Sequence, residues 1–226
     1  VKDGLLLHGV FEMATQLHSI FPTPVFTTNF KPSDELLHTL KSQKFRVQEK
    51  GVGTLYGEVS ENVKILRLFE CSELKDVITY HANILAKEIL GYQIKTMVDV
   101  LSWISIKRPR QQHTLHTHPN SVISGVYYFD NNIDNMPIIF GKPKMEGHNV
   151  IRVKIDEDAN ESTFCKTHYK YQPSVGDIVL FPSHLHHVVD VNSTNRDRFS
   201  LAFNMMPKSG IGEALELTEF FYSDAI

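Results

Sequence analysis

Hydrophobic positions change period near Gly91. Before it, apolar residues recur every three or four positions, the spacing that gathers side chains on one face of a helix. Residues 2–19 follow that pattern loosely and stop at Phe21-Pro22-Thr23-Pro24, and residues 25–30 read as a short strand. Ser33, with Asp34 and Glu35 after it, predicts an N-capped helix running to about Gln43. A longer helix is predicted over 72–90, where Leu74, Val77, Ile78, Ile84, Leu85 and Ile89 share a face. Beyond Gly91 the pattern shortens to segments at 94–107, 122–130, 137–140, 149–155, 163–170, 177–182, 186–191 and 198–205. Each is rich in Val, Ile, Phe or Tyr and bounded by Asn, Asp, Gly or Pro, as strands are. About eight such strands suit a double-sheet architecture. The expected fold is therefore mainly β with flanking helices around a double-stranded β-helix (jelly roll) core. A single domain over 1–226 is expected, with a mostly helical support at 1–92, the core at 93–206 and a C-terminal extension at 207–226.

Composition narrows the function classes. A formal net charge of -3 over 226 residues gives no general basic field, which argues against nucleic-acid binding and anionic membranes. A small-molecule, peptide or protein substrate is the better expectation, and nothing in the sequence decides the oligomeric state. The two cysteines, Cys71 and Cys165, form neither a disulfide framework nor a thiolate metal site. The run Leu5–Leu7 is broken by His8 and Glu12, too short and polar for a secretory or membrane segment, so a cytoplasmic location is expected. Histidine changes the picture most: eight of the twelve lie between His113 and His187.

His116 and His118 are separated by one residue, and on a strand such a pair projects to one side and can chelate one ion. The third donor is expected from Ser183-His184-Leu185-His186-His187, where an apolar strand ends. His186 and His187 would face opposite ways on a strand. His187 is preferred for its interval to Arg198; His186, then His184 and His113, are the alternatives. Three imidazoles would leave positions open on the ion, as a catalytic centre requires.

Ten residues separate His187 from Arg198, which opens a strand with Ser200 and Ala202 on its own face and Phe199, Leu201 and Phe203 on the other. A guanidinium beside a hydroxyl can grip one planar carboxylate through charge-assisted hydrogen bonds. Arg196 is the alternative cation, in a loop setting. Tyr127 and Tyr128 face opposite ways; Tyr128 is the expected second donor to that carboxylate and Tyr127 a core residue.

These residues resemble the iron(II)- and 2-oxoglutarate-dependent oxygenase superfamily, through its H-x-(D/E)…H-x10-R-x-S signature. The closer resemblance is to a bacterial and phage-type branch carrying H-x-H-P-x-S…S-G-x-Y-Y and F-P-S-x-L-x-H blocks. Here these blocks are His116-Thr117-His118-Pro119-Asn120-Ser121, Ser124-Gly125-Val126-Tyr127-Tyr128 and Phe181-Pro182-Ser183-His184-Leu185-His186-His187. The resemblance implies Fe(II) held by His116, His118 and His187, with 2-oxoglutarate and O2 as cosubstrates and Arg198, Ser200 and Tyr128 on the remote carboxylate. It implies a dioxygenase that hydroxylates a small-molecule or peptidyl substrate, releases succinate and carbon dioxide, and uses no catalytic residue beyond the metal centre. A bacterial or phage-infected cell is the implied setting. His118 stands where the superfamily usually has a carboxylate, a departure that makes the centre more positive. Two rival readings share the histidines: a cupin-like metal enzyme that needs no 2-oxoglutarate, and a non-catalytic jelly-roll binding or structural module. Hydrolase, phosphate-loop and H-E-x-x-H motifs are missing from the sequence.

Overall fold

The computed structural model describes residues 22–47, 57–131, 137–141, 168–208 and 211–212. The helix expected over 2–19, the strand at 149–155, the first residues of the segment at 163–170 and nearly all of the C-terminal extension lie outside them.

Eleven strands among the described residues form two antiparallel sheets. In chain order they are β1 (Phe26–Asn29), β2 (Phe45–Val47), β3 (Glu58–Ser60), β4 (Met97–Lys107), β5 (His113–His116), β6 (Ile123–Tyr127), β7 (Ile138–Gly141), β8 (His168–Tyr171), β9 (Asp177–Pro182), β10 (His187–Val189) and β11 (Arg198–Pro207). The larger sheet runs β1-β9-β6-β11-β4-β3-β2 and the smaller β5-β10-β7-β8. Two helices accompany them, α1 (Asp34–Lys41) and α2 (Ser72–Ile84), the latter continued by a π-helical turn at Leu85–Ile89. The expected mainly β, jelly-roll architecture is borne out.

Alternation along the strands of the larger sheet sorts its two faces. Leu201 and Phe203 of β11, Ile178 and Leu180 of β9, and Tyr127 of β6 point outward. There they meet Leu36 and Leu40 of α1 and Leu74, Ile78 and Ala82 of α2 in one buried cluster. Val179 and Phe181 point the other way and join Tyr128, Ile138 and Phe140 in a second cluster between the sheets. The helices thus stiffen the back of the larger sheet and leave its front to face β5, β10 and β7. Phe203 lies across β6 at Gly125, where an added Cβ would come within 2.3 Å of its ring. A glycine is required there by space.

Local chemistry ends the helices where the sequence suggests. The Ser33 hydroxyl accepts from the Leu36 amide at 3.1 Å, closing the N-terminus of α1. Gly91, at φ 71, ends the α2 segment in a left-handed conformation that glycine adopts without strain. The region before Gly91 is less helical than its apolar spacing predicts. Strands β2 and β3 extend the larger sheet, and short 3-10 turns occupy Ile65–Arg67 and Phe69–Cys71. Strands of three residues are too short to show a period.

Candidate active site

His116 closes β5 and His187 opens β10, and the two are register partners in the smaller sheet. His118 lies two residues beyond the end of β5, so the strand alternation expected for the His116/His118 pair does not carry it to the site. A turn does. The His118 amide donates to the Ser183 carbonyl at 3.0 Å, and Asn120 takes a left-handed conformation, φ 58, in the turn that follows. One ring nitrogen from each of His116, His118 and His187 lies within 4.8 Å of the other two.

The tautomers suit a cation. Nδ1 of His116 donates to the Thr114 carbonyl at 2.7 Å, and Nδ1 of His187 to the Leu185 carbonyl at 2.9 Å. Nε2 of each therefore carries a lone pair. The Nε2 atoms of His118 and His187 stand 3.2 Å apart. Two nitrogens bound at right angles to one ion, each at about 2.1 Å, would be separated by about 3 Å. Burial, then the neighbouring His116 ring, push His187 down to about 3 and His118 to about 4. His116 is lowered too, chiefly by burial. All three are neutral near pH 7, the form that binds a metal.

The serines of the sequence blocks meet behind His118. Ser121 Oγ donates to Ser183 Oγ at 2.9 Å, Ser124 Oγ and Ser183 Oγ are 2.8 Å apart, and Ser124 Oγ donates to Asn204 Oδ1 at 2.9 Å. Asn204 in turn hydrogen-bonds the His118 side chain. The network ties β6 and β11 to the turns that follow β5 and β9, fixing the His118 ring as partners around a ligand do.

Opposite the histidines, the front of the larger sheet forms the floor of the cleft, with Trp103, Ser105 and Lys107 of β4, Arg198, Ser200 and Ala202 of β11, and Val126 and Tyr128. Arg198 and Ser200 lie on the inner face and Leu201 and Phe203 on the outer, as the alternation predicts. Arg198 is 3% exposed, and its Cζ sits 5.1 Å from the centre of the Tyr128 ring. Arg198 Nε has no hydrogen-bond partner, and Tyr128 Oη meets only the Arg198 guanidinium, whose charge and loose hydrogen bond oppose the rise that burial imposes on the phenol. The acid whose charge Arg198 feels, Asp130, is already paired with Lys41 at 2.6 Å. Buried, unpaired polar atoms of this kind are costly without a ligand to meet them, and a carboxylate fits them. Tyr127 points to the other face, where its hydroxyl donates to the Phe30 carbonyl at 3.1 Å.

Of the alternative donors, His113 lines the same cleft and stacks on His116 at 4.1 Å between ring centres. His184 is exposed, and neither it nor His186 joins the three-nitrogen cluster. Arg196 does not line the cleft. Two residues of the site escaped the sequence reading. Asn204 continues the inner-face alternation of Arg198, Ser200 and Ala202, just before a bulge between Asn204 and Met205, so that alternation was its available signal. Lys107 ends β4 in the polar run Lys107-Arg108-Pro109-Arg110, which reads as a solvated loop. A lysine closing a strand directly before that loop was the available signal.

Residues 101–204 match the family model described as "Putative 2OG-Fe(II) oxygenase". No curated protein matches the chain. Similar solved structures include a prolyl hydroxylase from Trichoplax adhaerens in complex with a hypoxia inducible factor peptide fragment (TM-score 0.55, 12% identity, 81% of this chain and 84% of that one). A prolyl-4-hydroxylase from Pseudomonas putida is similar at TM-score 0.53 and 10% identity, over 80% of this chain and 92% of that one. HygX from Streptomyces hygroscopicus, with nickel and 2-oxoglutarate bound, is similar at TM-score 0.52 and 8% identity, over 82% and 83%. At these identities the structures attest the fold. With the family match they bear out the resemblance to the iron(II)/2-oxoglutarate oxygenase superfamily.

Proposed function

We propose that the chain is an iron(II)- and 2-oxoglutarate-dependent dioxygenase in which His116, His118 and His187 hold the metal through Nε2 and Arg198, Ser200 and Tyr128 take the remote carboxylate. One observation carries this reading: a converging histidine cluster and a buried guanidinium face each other across a single cleft that no carboxylate lines among the described residues. When bound, iron(II) with O2 supplies an oxidation coupled to decarboxylation of 2-oxoglutarate, giving succinate and carbon dioxide and, on this reading, hydroxylating a small-molecule or peptidyl substrate.

The chain's own residues bind, orient and exclude water. The Thr114 and Leu185 carbonyls hold the imidazoles of His116 and His187 in the metal-binding tautomer, and Asn204 steadies the ring of His118. Arg198, fixed against Tyr128, sets the direction of an elongated dicarboxylate, so that its 2-oxo acid end is the end presented to the histidines. Phe140, Phe181 and Ile138 line the apolar layer beside the cluster and keep it dry. A cupin-like enzyme working without 2-oxoglutarate would use the same histidines but would leave Arg198 with no anion to meet.

Anaerobic protein given iron(II) and 2-oxoglutarate should develop a weak visible charge-transfer band and, on admission of air, release succinate. His187→Ala should abolish both. No band and no succinate at saturating iron would reject the proposal.

A further inference from the structure

Lys107 is the charged residue in the cleft that the proposed function leaves unused. It is the direct register partner of Arg198 across β4 and β11, and opposed residues of an antiparallel pair share a face. Its side chain is 4% exposed, its ammonium is buried, and Nζ has no hydrogen-bond partner. Neither aspartate nor glutamate lines the cleft among the described residues. Two cations therefore end one wall of a buried site, an arrangement that costs stability unless an anion meets it.

Room has been left for that ammonium. Gly57 faces it from the start of β3, and a Cβ there would lie 2.4 Å from Lys107 Nζ. The two cations lean apart, Arg198 over the Tyr128 ring and Lys107 beside Gly57, as like charges do. The long, flexible lysine stem lets the ammonium swing back over β11 toward a shared carboxylate. Lys107 lines the same cleft as His113 and His116, and its charge helps to lower both imidazoles.

We propose that Lys107 is a second cationic contact for the remote carboxylate of the dicarboxylate cosubstrate, so that this end of the cleft selects a dianion with an Arg-Lys pair. The inference rests on the reading of the site given under the proposed function. One carboxylate oxygen takes the Arg198 guanidinium and the Tyr128 hydroxyl, and the other takes the Ser200 hydroxyl and the ammonium. The pair discriminates strongly against 2-oxo acids that lack the second carboxylate, because each would leave two buried charges unmatched.

Anaerobic calorimetry of the iron(II)-loaded protein with two probes tests this. 2-Oxoglutarate carries the remote carboxylate; 2-oxovalerate has the same chelating head and a methyl group in its place. Lys107→Met should weaken 2-oxoglutarate by about ten- to a hundredfold, the scale of a charge-assisted hydrogen bond, and leave 2-oxovalerate within about twofold. Lys107→Arg should recover part of the loss. Wild-type binding of 2-oxoglutarate with unchanged affinity in Lys107→Met overturns the role of Lys107 alone. An equal loss for both probes also overturns it, because the residue would then be supporting the metal site. If wild-type protein binds no 2-oxoglutarate, the function proposed for the site falls first and this inference with it.

Discussion

Replacing Lys107 by methionine separates the needs of the fold from those of the cleft. Burial, and secondarily the Arg198 charge, push the Lys107 ammonium down from 10.5 to about 8. That drop corresponds to a penalty of about 3 kcal/mol carried by the charged form of the folded protein. The folded pKa lies below the unfolded one, so between about pH 8 and 10.5 the unfolded chain binds more protons and stability rises with pH. Below about pH 8 both states are protonated and the whole penalty is present. The groups whose charge Lys107 feels do not titrate in that window: Arg198 stays charged, and His113 and His116 are already neutral. Urea unfolding of metal-free protein should therefore show Lys107→Met more stable than wild type at pH 7. Most of that advantage should vanish by pH 10, with other titrations cancelling in the difference. Curves that stay parallel from pH 7 to 10 would show that the ammonium is not held in a desolvated, cation-facing position, and the reasoning would fail.

Because His118 and His187 are already neutral near pH 7, metal uptake should release almost no protons from them between about pH 6 and 7.5. Calorimetry in two buffers of different ionisation enthalpy should give the same metal-binding heat; a release approaching one proton would contradict the lowered values. Arg198→Ala should weaken 2-oxoglutarate by about 10- to 100-fold, the cost of a hydrogen bond to a charged partner. Tyr128→Phe should weaken it less, and wild-type affinity in both variants would remove the carboxylate clamp. Gly125→Ala forces a methyl into the Phe203 ring and the Val179 carbonyl. It should cost about 1–3 kcal/mol, seen as a Tm fall of roughly 2–4 °C per kcal/mol, and an unchanged Tm would mean the ring moves freely.

The parts of this protein that could be read ahead of its structure are those governed by short-range rules. Alternation separated Arg198 and Ser200 from Leu201 and Phe203 because a strand of ten residues repeats its two-residue period several times, and it opposed Tyr127 to Tyr128 at the end of the five-residue β6. Ser33 marked a helix start because its hydroxyl answers an amide only three residues away. What stayed hidden depends on long-range contact. His118 reaches the cluster through a turn bonded to Ser183, 65 residues later in the chain, and not through strand geometry. Lys107 is buried because β11 and β3 flank it, and its place at the end of a strand hints at the position but not at the flanking strands.

The division of the cleft between two sheets makes their separation a variable of the site. His116 and His187 ride on the smaller sheet, whereas Lys107, Arg198 and Ser200 ride on the larger, helix-backed one, to which Asn204 also tethers His118. A small slide of one sheet against the other would therefore move the His116–His187 pair relative to both His118 and Arg198, while His118 and Arg198 kept their places relative to each other.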